Sequence, residues 1–281
     1  MAWSLCLIVL AASMHSSPLD VRTIIERSLE ANKRDWSAAP LYSYCERDGP
    51  VGDSKTYEVT MILGSPYRRL VAINGEPLSA VEQSQEQRQI NEAAKRRSAE
   101  TPAEREARTA EYQRERKRDH ILMNELTRAF DFRYEGQSRI DSHDVYVLKA
   151  TPRSGYRPPN TEAEVLTGMG GTLWIDRNTF QWVKVEAHVL HPVFIAGFLA
   201  RVEPGTRFEL EKAPVEGGVW LPSHFAMRSR AKILFLFNRR SQENDTFFDY
   251  RKAPSQAFAP QTRVPRRHAV IFSARSVTNS P

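Results

Sequence analysis

Residues 171–190 read Gly-Thr-Leu-Trp-Ile-Asp-Arg-Asn-Thr-Phe-Gln-Trp-Val-Lys-Val-Glu-Ala-His-Val-Leu, and no other stretch limits the fold as much. In its second half Val183, Val185, Ala187 and Val189 alternate with Lys184, Glu186 and His188, the period-two pattern of a half-buried strand. Positions 172–175 are rich in β-branched and aromatic residues, and Asp176-Arg177-Asn178 supplies turn chemistry between the two runs. The two runs predict an antiparallel hairpin. The sheet it belongs to has one apolar face that something must cover.

Upstream, Asp20 is expected to cap a helix that gathers Val21, Ile24, Ile25, Ser28, Leu29 and Asn32 on one stripe. Strands are expected over 41–45, 57–63 and 68–73, with Gly64-Ser65-Pro66 and Asn74-Gly75 as the connections of an antiparallel meander. The pattern then changes from Leu78 to about Phe130. Ser79 with Glu82 and Thr101 with Glu104 are capping boxes, the second with Pro102 at the first helical position. Between positions 82 and 119 nearly every apolar residue is alanine, and ten basic residues face nine acidic ones. Helices of that composition bury little, so the expectation is a solvated, charged helical hairpin projecting from the body.

Strands resume over 132–135, 143–150, 206–210, 219–221, 225–230, 233–237 and 246–250. Two stretches stand apart. The run 233–237, Ile-Leu-Phe-Leu-Phe, is apolar on both faces and predicts a strand covered above and below. The run 193–199, Val-Phe-Ile-Ala-Gly-Phe-Leu, lies between Pro192 and Pro204 and reads either as a short core helix or as a flap over an apolar cavity.

Length and composition fit one domain with an insertion: 281 residues, 41% of them hydrophobic, suffice for a sizeable core. The apolar run 2–12 is too short to span a bilayer and is followed by small and polar residues, so residues 1–17 are expected to be a secretory signal peptide, although no basic residue precedes Arg22. Residues 18–254 would form the β domain, with the insertion at about 78–130, and 255–281 a basic irregular tail. Loss of Cys6 with the signal leaves Cys45 without a disulfide partner. The net charge of +6 is spread along the chain among acids, and no nucleic-acid-binding motif accompanies it, so no nucleic-acid partner is expected.

No constellation in the sequence carries catalysis. His188 and His191 would point to opposite faces of a strand, and no cysteine pair or His-Glu-x-x-His accompanies them, so no metal site is expected. Gly168-Met169-Gly170-Gly171 lacks the Gly-Lys-Ser/Thr of a phosphate loop and reads as a flexible loop or β-bulge. Neither Gly-x-Ser-x-Gly nor a cysteine with a nucleophile signature is present, and no cofactor is expected.

The order of an amphipathic helix, a long antiparallel meander and the Trp-Ile-Asp, turn, Val-Lys-Val-Glu hairpin resembles the periplasmic lipoprotein-carrier superfamily, the LolA/LolB-like and outer membrane lipoprotein-sorting proteins. The resemblance implies an α+β, mainly antiparallel β fold: a strongly curved half-open β-barrel with an N-terminal helix, to which this chain adds the charged helical hairpin. It implies a non-enzymatic, periplasmic or otherwise secreted envelope protein that binds an acyl chain or lipidated protein in an apolar concavity. The lining residues expected here are Val183, Val185, Phe194, Phe198, Ile233, Phe235 and Phe237. The alternative is a protein-interaction or sensor module of the same fold, which meets an envelope partner through the helical hairpin, and peripheral membrane contact fits either reading. An enzyme using the cavity is the third reading.

Overall fold

The structure, a computed structural model, describes residues 20–50, 52–195, 200–233 and 237–253, so the expected signal peptide and basic tail lie outside the described residues. A helix α1 (Val21–Ala38) leads into β1 (Tyr42–Asp48), β2 (Lys55–Ile62), β3 (Ser65–Ile73) and the two-residue β4 (Glu76–Pro77). Helices α2 (Ala80–Ala99) and α3 (Pro102–Ala129) follow, then β5 (Phe130–Ile140), β6 (His143–Pro152), β7 (Met169–Asp176) and β8 (Trp182–Val189). The chain closes with short strands β9 (Val193–Ile195) and β10 (Ala200–Val202), then β11 (Arg207–Pro214), β12 (Trp220–Ile233) and β13 (Phe237–Lys252).

The strands run β4-β3-β2-β1-β13-β12-β11-β8-β7-β6-β5 in one antiparallel sheet, with β9 and β10 attached beside the end of β12. Two local meanders are therefore zipped together by β13 against β1, where Tyr42 faces Lys252 and Asp48 faces Asp245. The sheet stays open, with β4 and β5 as its two edges. The segment joining those edges in sequence is α2 and α3.

That connection bends the sheet. Thr109 of α3 packs on Gly64 in the β2–β3 turn, while α3 ends where β5 begins at Phe130. Those twenty-one residues span roughly 31 Å of helix at 1.5 Å per residue. Laid flat, the nine strand-to-strand steps from β3 to β5 would cover roughly 43 Å at 4.8 Å each. The helix is the chord and the sheet the arc.

The caps follow the sequence closely. Ser79 accepts from the Glu82 amide while Glu82 Oε2 accepts from the Ser79 amide at 2.9 Å, and Thr101 and Glu104 repeat the exchange. Asp20 occupies the N-cap of α1 without a side-chain hydrogen bond, so the cap expected there is one of position only. The helical pair also differs from a free projection. The Arg97 guanidinium donates to the carbonyls of Ile62, Ser65 and Pro66, and Arg108 donates to Ser65 Oγ at 2.7 Å and to Glu100. Arginine forks satisfy the turn end of the β2–β3 hairpin, which holds an alanine-rich helix against the sheet where apolar burial could not.

Three sequence expectations change at the C-terminal strands and in the glycine run. The expected strands 219–221 and 225–230 are parts of a single β12 with a bulge near Ser223. The expected strand 233–237 is divided: Ile233 ends β12, Phe237 begins β13, and the two residues face one another at the end of that hairpin. Composition and period alone do not reveal where one strand ends and the next begins. Gly170 and Gly171 belong to β7 rather than to a loop, and a Cβ on Gly171 would stand 2.2 Å from the Glu186 carbonyl oxygen.

Candidate functional site

The inner face of the sheet is filled over half its width. Ile24 and Ile25 of α1 and Ala129 of α3 meet Leu148, Leu173, Ile175 and Trp182 in one buried cluster. The Trp182 indole donates to Ser28 Oγ at 3.2 Å, and Asn32, on the same helical stripe, is buried too. The filling ends at Lys212 of β11, which donates to Asn32 Oδ1 at 2.8 Å and to Asp35 Oδ2 at 3.2 Å. Burial pulls the Lys212 ammonium below its ordinary pKa, with the Asp35 carboxylate opposing that shift.

Beyond Lys212 the same face continues without full cover. Register places Val185 opposite Leu210 and Leu210 opposite Phe225, and in the next row Ala187 opposite Phe208 and Phe208 opposite Met227. Directly opposed residues share a face. All six side chains are half-buried, and the rings of Phe208 and Phe225 meet edge to face at 5.3 Å. The apolar strip extends to Phe247 of β13 and Tyr44 of β1, whose ring lies 6.0 Å from Phe247 and 5.2 Å from Tyr250. Burial pushes the Tyr44 phenol up to about 12, which keeps it a neutral donor. A groove of 640 Å³ crosses β8, β11, β12 and β13 but is lined mainly by the alternate rows Glu186, Glu209, Ala226, Asn244 and His188, Arg207, Arg228, Gln242, which face away from Val185, Leu210 and Phe225.

The far end of the strip is acidic. Glu46 and Asp48 of β1 sit beside Asp245 of β13, and the Arg68 guanidinium lies 3.1 Å from Glu46 and 3.7 Å from Asp48. Burial raises the Glu46 carboxyl despite Arg68, and burial with the nearby Asp48 and Glu243 raises Asp245. One arginine thus pairs with two of the three carboxylates. Such a rim opposes an anionic head group and accepts a neutral or cationic one.

The expected lining residues fall in different places. Val185 lies on the inner face against the core. Val183 does not share that face: β7 advances from Trp174 to Ile175 while β8 steps from Lys184 to Trp182, so Val183 is the extra residue of a bulge and packs with Val145 and Trp220 in a small separate cluster. The strict alternation read in the sequence therefore breaks at the start of β8. Phe194 is 48% exposed on β9 with the Arg201 guanidinium 6.0 Å from its ring centre. Ile233 and Phe237 end the β12–β13 hairpin, and Phe198 and Phe235 lie outside the described residues. Sequence reasoning missed Phe208, Leu210, Phe225, Met227 and Phe247. Their i, i+2 spacing within expected strands was the available signal, and only the strand register turns it into a shared face.

Other candidate chemistry stays dispersed. Cys45 is half-buried, and burial raises its thiol, the opposite of an activated nucleophile. Among the described residues no group of three or more His, Cys, Asp and Glu side chains is placed to hold a metal ion. None of the helices searched there is long and apolar enough to cross a membrane.

No family model matches the chain, and no curated protein matches it. Among solved structures it is similar to an outer membrane lipoprotein-sorting protein domain from Vibrio parahaemolyticus, at 10% identity and TM-score 0.32, over 81% of this chain and 92% of that one. It is similar also to a LolA superfamily protein from Nitrosomonas europaea, at 12% identity and TM-score 0.28, over 85% and 96%. A third is a chain of the Pseudomonas aeruginosa MucA/MucB complex, at 14% identity and TM-score 0.25, over 81% and 99%. The first two carry names of the superfamily that the 171–190 hairpin resembles.

Proposed function

We propose that this is a non-enzymatic envelope protein that holds an acyl chain, carried by a lipid or a lipidated protein, on the uncovered part of its inner face. The observation that carries the reading is the row of half-buried apolar side chains Leu210, Phe208, Phe225 and Met227, which continues a helix-filled core past the point where helix α1 is pinned by Lys212. A curved sheet with an apolar inner face is stabilised when that face leaves water, and an acyl chain supplies about 0.8 kcal/mol per methylene buried. The acidic rim at Glu46, Asp48 and Asp245 favours an acyl group on a neutral carrier, such as the lipidated end of a protein, over a free fatty acid with its carboxylate.

Native mass spectrometry of protein purified from an envelope fraction tests the reading directly. A retained mass of acyl size, exchanged by a fluorescent acyl probe with an uncharged head, is the expected result. Protein that is ligand-free from every source and takes up neither neutral nor carboxylate probes would overturn it.

A further inference from the structure

We propose that the free edge of β5 pairs with the β5 edge of a second copy of this chain, antiparallel and centred on Phe132. The backbone fixes which groups face outwards. The Arg153 amide donates to the Ala129 carbonyl at 2.7 Å, and the register sets Phe130 opposite Pro152 and Asp131 opposite Thr151. Bonded and non-bonded pairs alternate in an antiparallel ladder, so Ala129, Asp131 and Arg133 turn their amides and carbonyls to β6, while Phe130, Phe132 and Tyr134 direct theirs out of the sheet. The Arg153 guanidinium reaches the Phe130 carbonyl at 2.9 Å, as that direction requires. Among the described residues the outward amides and carbonyls of Phe132 and Tyr134 have no partner.

The opposite edge is protected in ways that β5 is not. β4 is two residues long and ends in Pro77, the Leu70 amide of β3 donates to Glu86 Oε2 at 3.3 Å, and Arg97 of α2 covers the Ser65 and Pro66 carbonyls. Residues 130–134 contain neither proline nor lysine, and the bulge in β5 comes only after Tyr134.

Pairing about Phe132 sets Phe132 against its own copy, Phe130 against the second copy's Tyr134, and Asp131 against the second copy's Arg133. Phe130, Phe132 and Tyr134 belong to the helix-covered core, so the apolar side chains of both copies meet on the inner face. Phe130 and Phe132 there line a groove of 810 Å³ with Leu29 of α1 and Met123 of α3, and the second copy's Tyr134 falls beside it. On the other face two Asp131–Arg133 pairs form, at the non-bonded positions where opposed side chains are closest. In the single copy Asp131 pairs with Arg153 at 2.8 Å and Arg133 with Glu135 at 2.7 Å, contacts exposed enough to be exchanged at little cost. Neighbouring registers fail. Centring on Arg133 would oppose it to itself and call on backbone groups already bonded to β6, and centring on Tyr134 would carry the pairing across the bulge. This self-complementary charge order selects a second copy as the occupant. Strands β8, β7 and β6 separate the edge from the Phe208 and Phe225 strip, so the proposal stands whether or not that strip holds an acyl chain.

Sedimentation velocity of the purified full chain over a range of concentrations tests it, with amide hydrogen exchange on the same samples. The wild type is expected to dimerise as concentration rises. The Phe132 and Tyr134 amides are expected to gain protection with the dimer, while the Arg133 amide, bonded to β6, is protected throughout. Asp131→Arg and Arg133→Asp each bring like charges together at both pairs, and each is expected to weaken the dimer at least about tenfold. Mixed in equal amounts, the two variants regain opposite charges at both pairs and are expected to form a heterodimer; one chain carrying both changes is expected to dimerise as the wild type does. Both side chains are exposed, and thermal melting checks that each variant remains folded. A wild type that stays monomeric, a dimer that survives either folded variant, a mixture that does not associate, or a dimer without protection of the Phe132 amide would overturn the proposal.

Discussion

The Lys212 ammonium lies 3.2 Å from the Asp35 carboxylate with side-chain exposures of 9% and 5%, and the pair marks where α1 stops covering the inner face. A pair so far from water is held by geometry, and removing one partner leaves the other charge buried. Lys212→Met is expected to destabilise the protein by about 3–5 kcal/mol, and the double variant Lys212→Met with Asp35→Leu to recover most of that loss. Denaturant titration of the two variants measures it; equal losses in both would show that packing, not charge, dominates.

Gly171 fixes the closeness of β7 to β8. Its missing side chain leaves room for the Glu186 carbonyl, which a Cβ would approach to 2.2 Å. Gly171→Ala is therefore expected to cost about 3 kcal/mol, because the obstacle is backbone and cannot rotate away. Gly75→Ala meets no atom within 4 Å and carries only the penalty of its φ of +84°. Melting temperatures of the two variants should separate widely.

The features legible in the sequence are those whose cause is local. The Ser79–Glu82 and Thr101–Glu104 boxes, the Asp176 turn and the Ile24, Ile25, Ser28, Asn32 stripe each depend on residues within a turn or two of one another. The zipper of β13 on β1 joins residues about two hundred apart, and no local signal announces it. Bulges were equally silent, and the one at Val183 removed an expected lining residue by turning it to the opposite face. The apolar run 233–237 has the composition of a buried strand, yet Ile233 ends β12 and Phe237 begins β13. The candidate site depends on both kinds of non-local fact, register and the place where α1 ends, so most of its residues were not assigned in advance.

His120 of α3 stacks on Trp36 of α1 at 4.4 Å, and its Nδ1 is buried with no partner among the described residues. Burial, with Lys33 of α1 and Arg116 of α3 nearby, depresses its pKa in the folded chain. The unfolded chain then binds the proton more readily. The stability contributed by neutral His120 is fully present above the unfolded value of about 6.5 and is lost as pH falls from there through the lower folded value. His120→Phe keeps a ring on Trp36 and removes the titration, so its stability should vary less than that of the wild type below about pH 6.5. Parallel curves would exclude this coupling.

Asp176, 3% exposed, accepts from the Asn178 and Thr179 amides at 3.0 and 2.7 Å and from the Thr179 hydroxyl at 2.8 Å, with His143 Nδ1 at 3.3 Å. Burial by itself raises its carboxyl, but these hydrogen bonds outweigh burial and hold it below the ordinary carboxylate range. The contribution is present above the unfolded value of about 3.9 and is lost as pH falls through the lower folded value. Asp176→Asn is expected to cost about 1–2 kcal/mol at neutral pH, with the gap to wild type closing in acid. Urea unfolding at two pH values suffices to measure it.

The two faces of the sheet give the sharpest contrast for function. Met227 is half-buried on the uncovered inner strip, so Met227→Lys should leave the fold intact while placing a charge where an acyl chain would lie. Acyl-probe affinity is expected to fall at least about tenfold, because a desolvated ammonium costs more than the methylenes it displaces contribute. Val183 is buried with Val145 and Trp220 in the small cluster outside the helix-covered core. Val183→Ala should cost about 1–2 kcal/mol of stability through its cavity and leave probe affinity unchanged. Reversed results, with affinity sensitive to Val183 and indifferent to Met227, would move the binding site to the other face of the sheet.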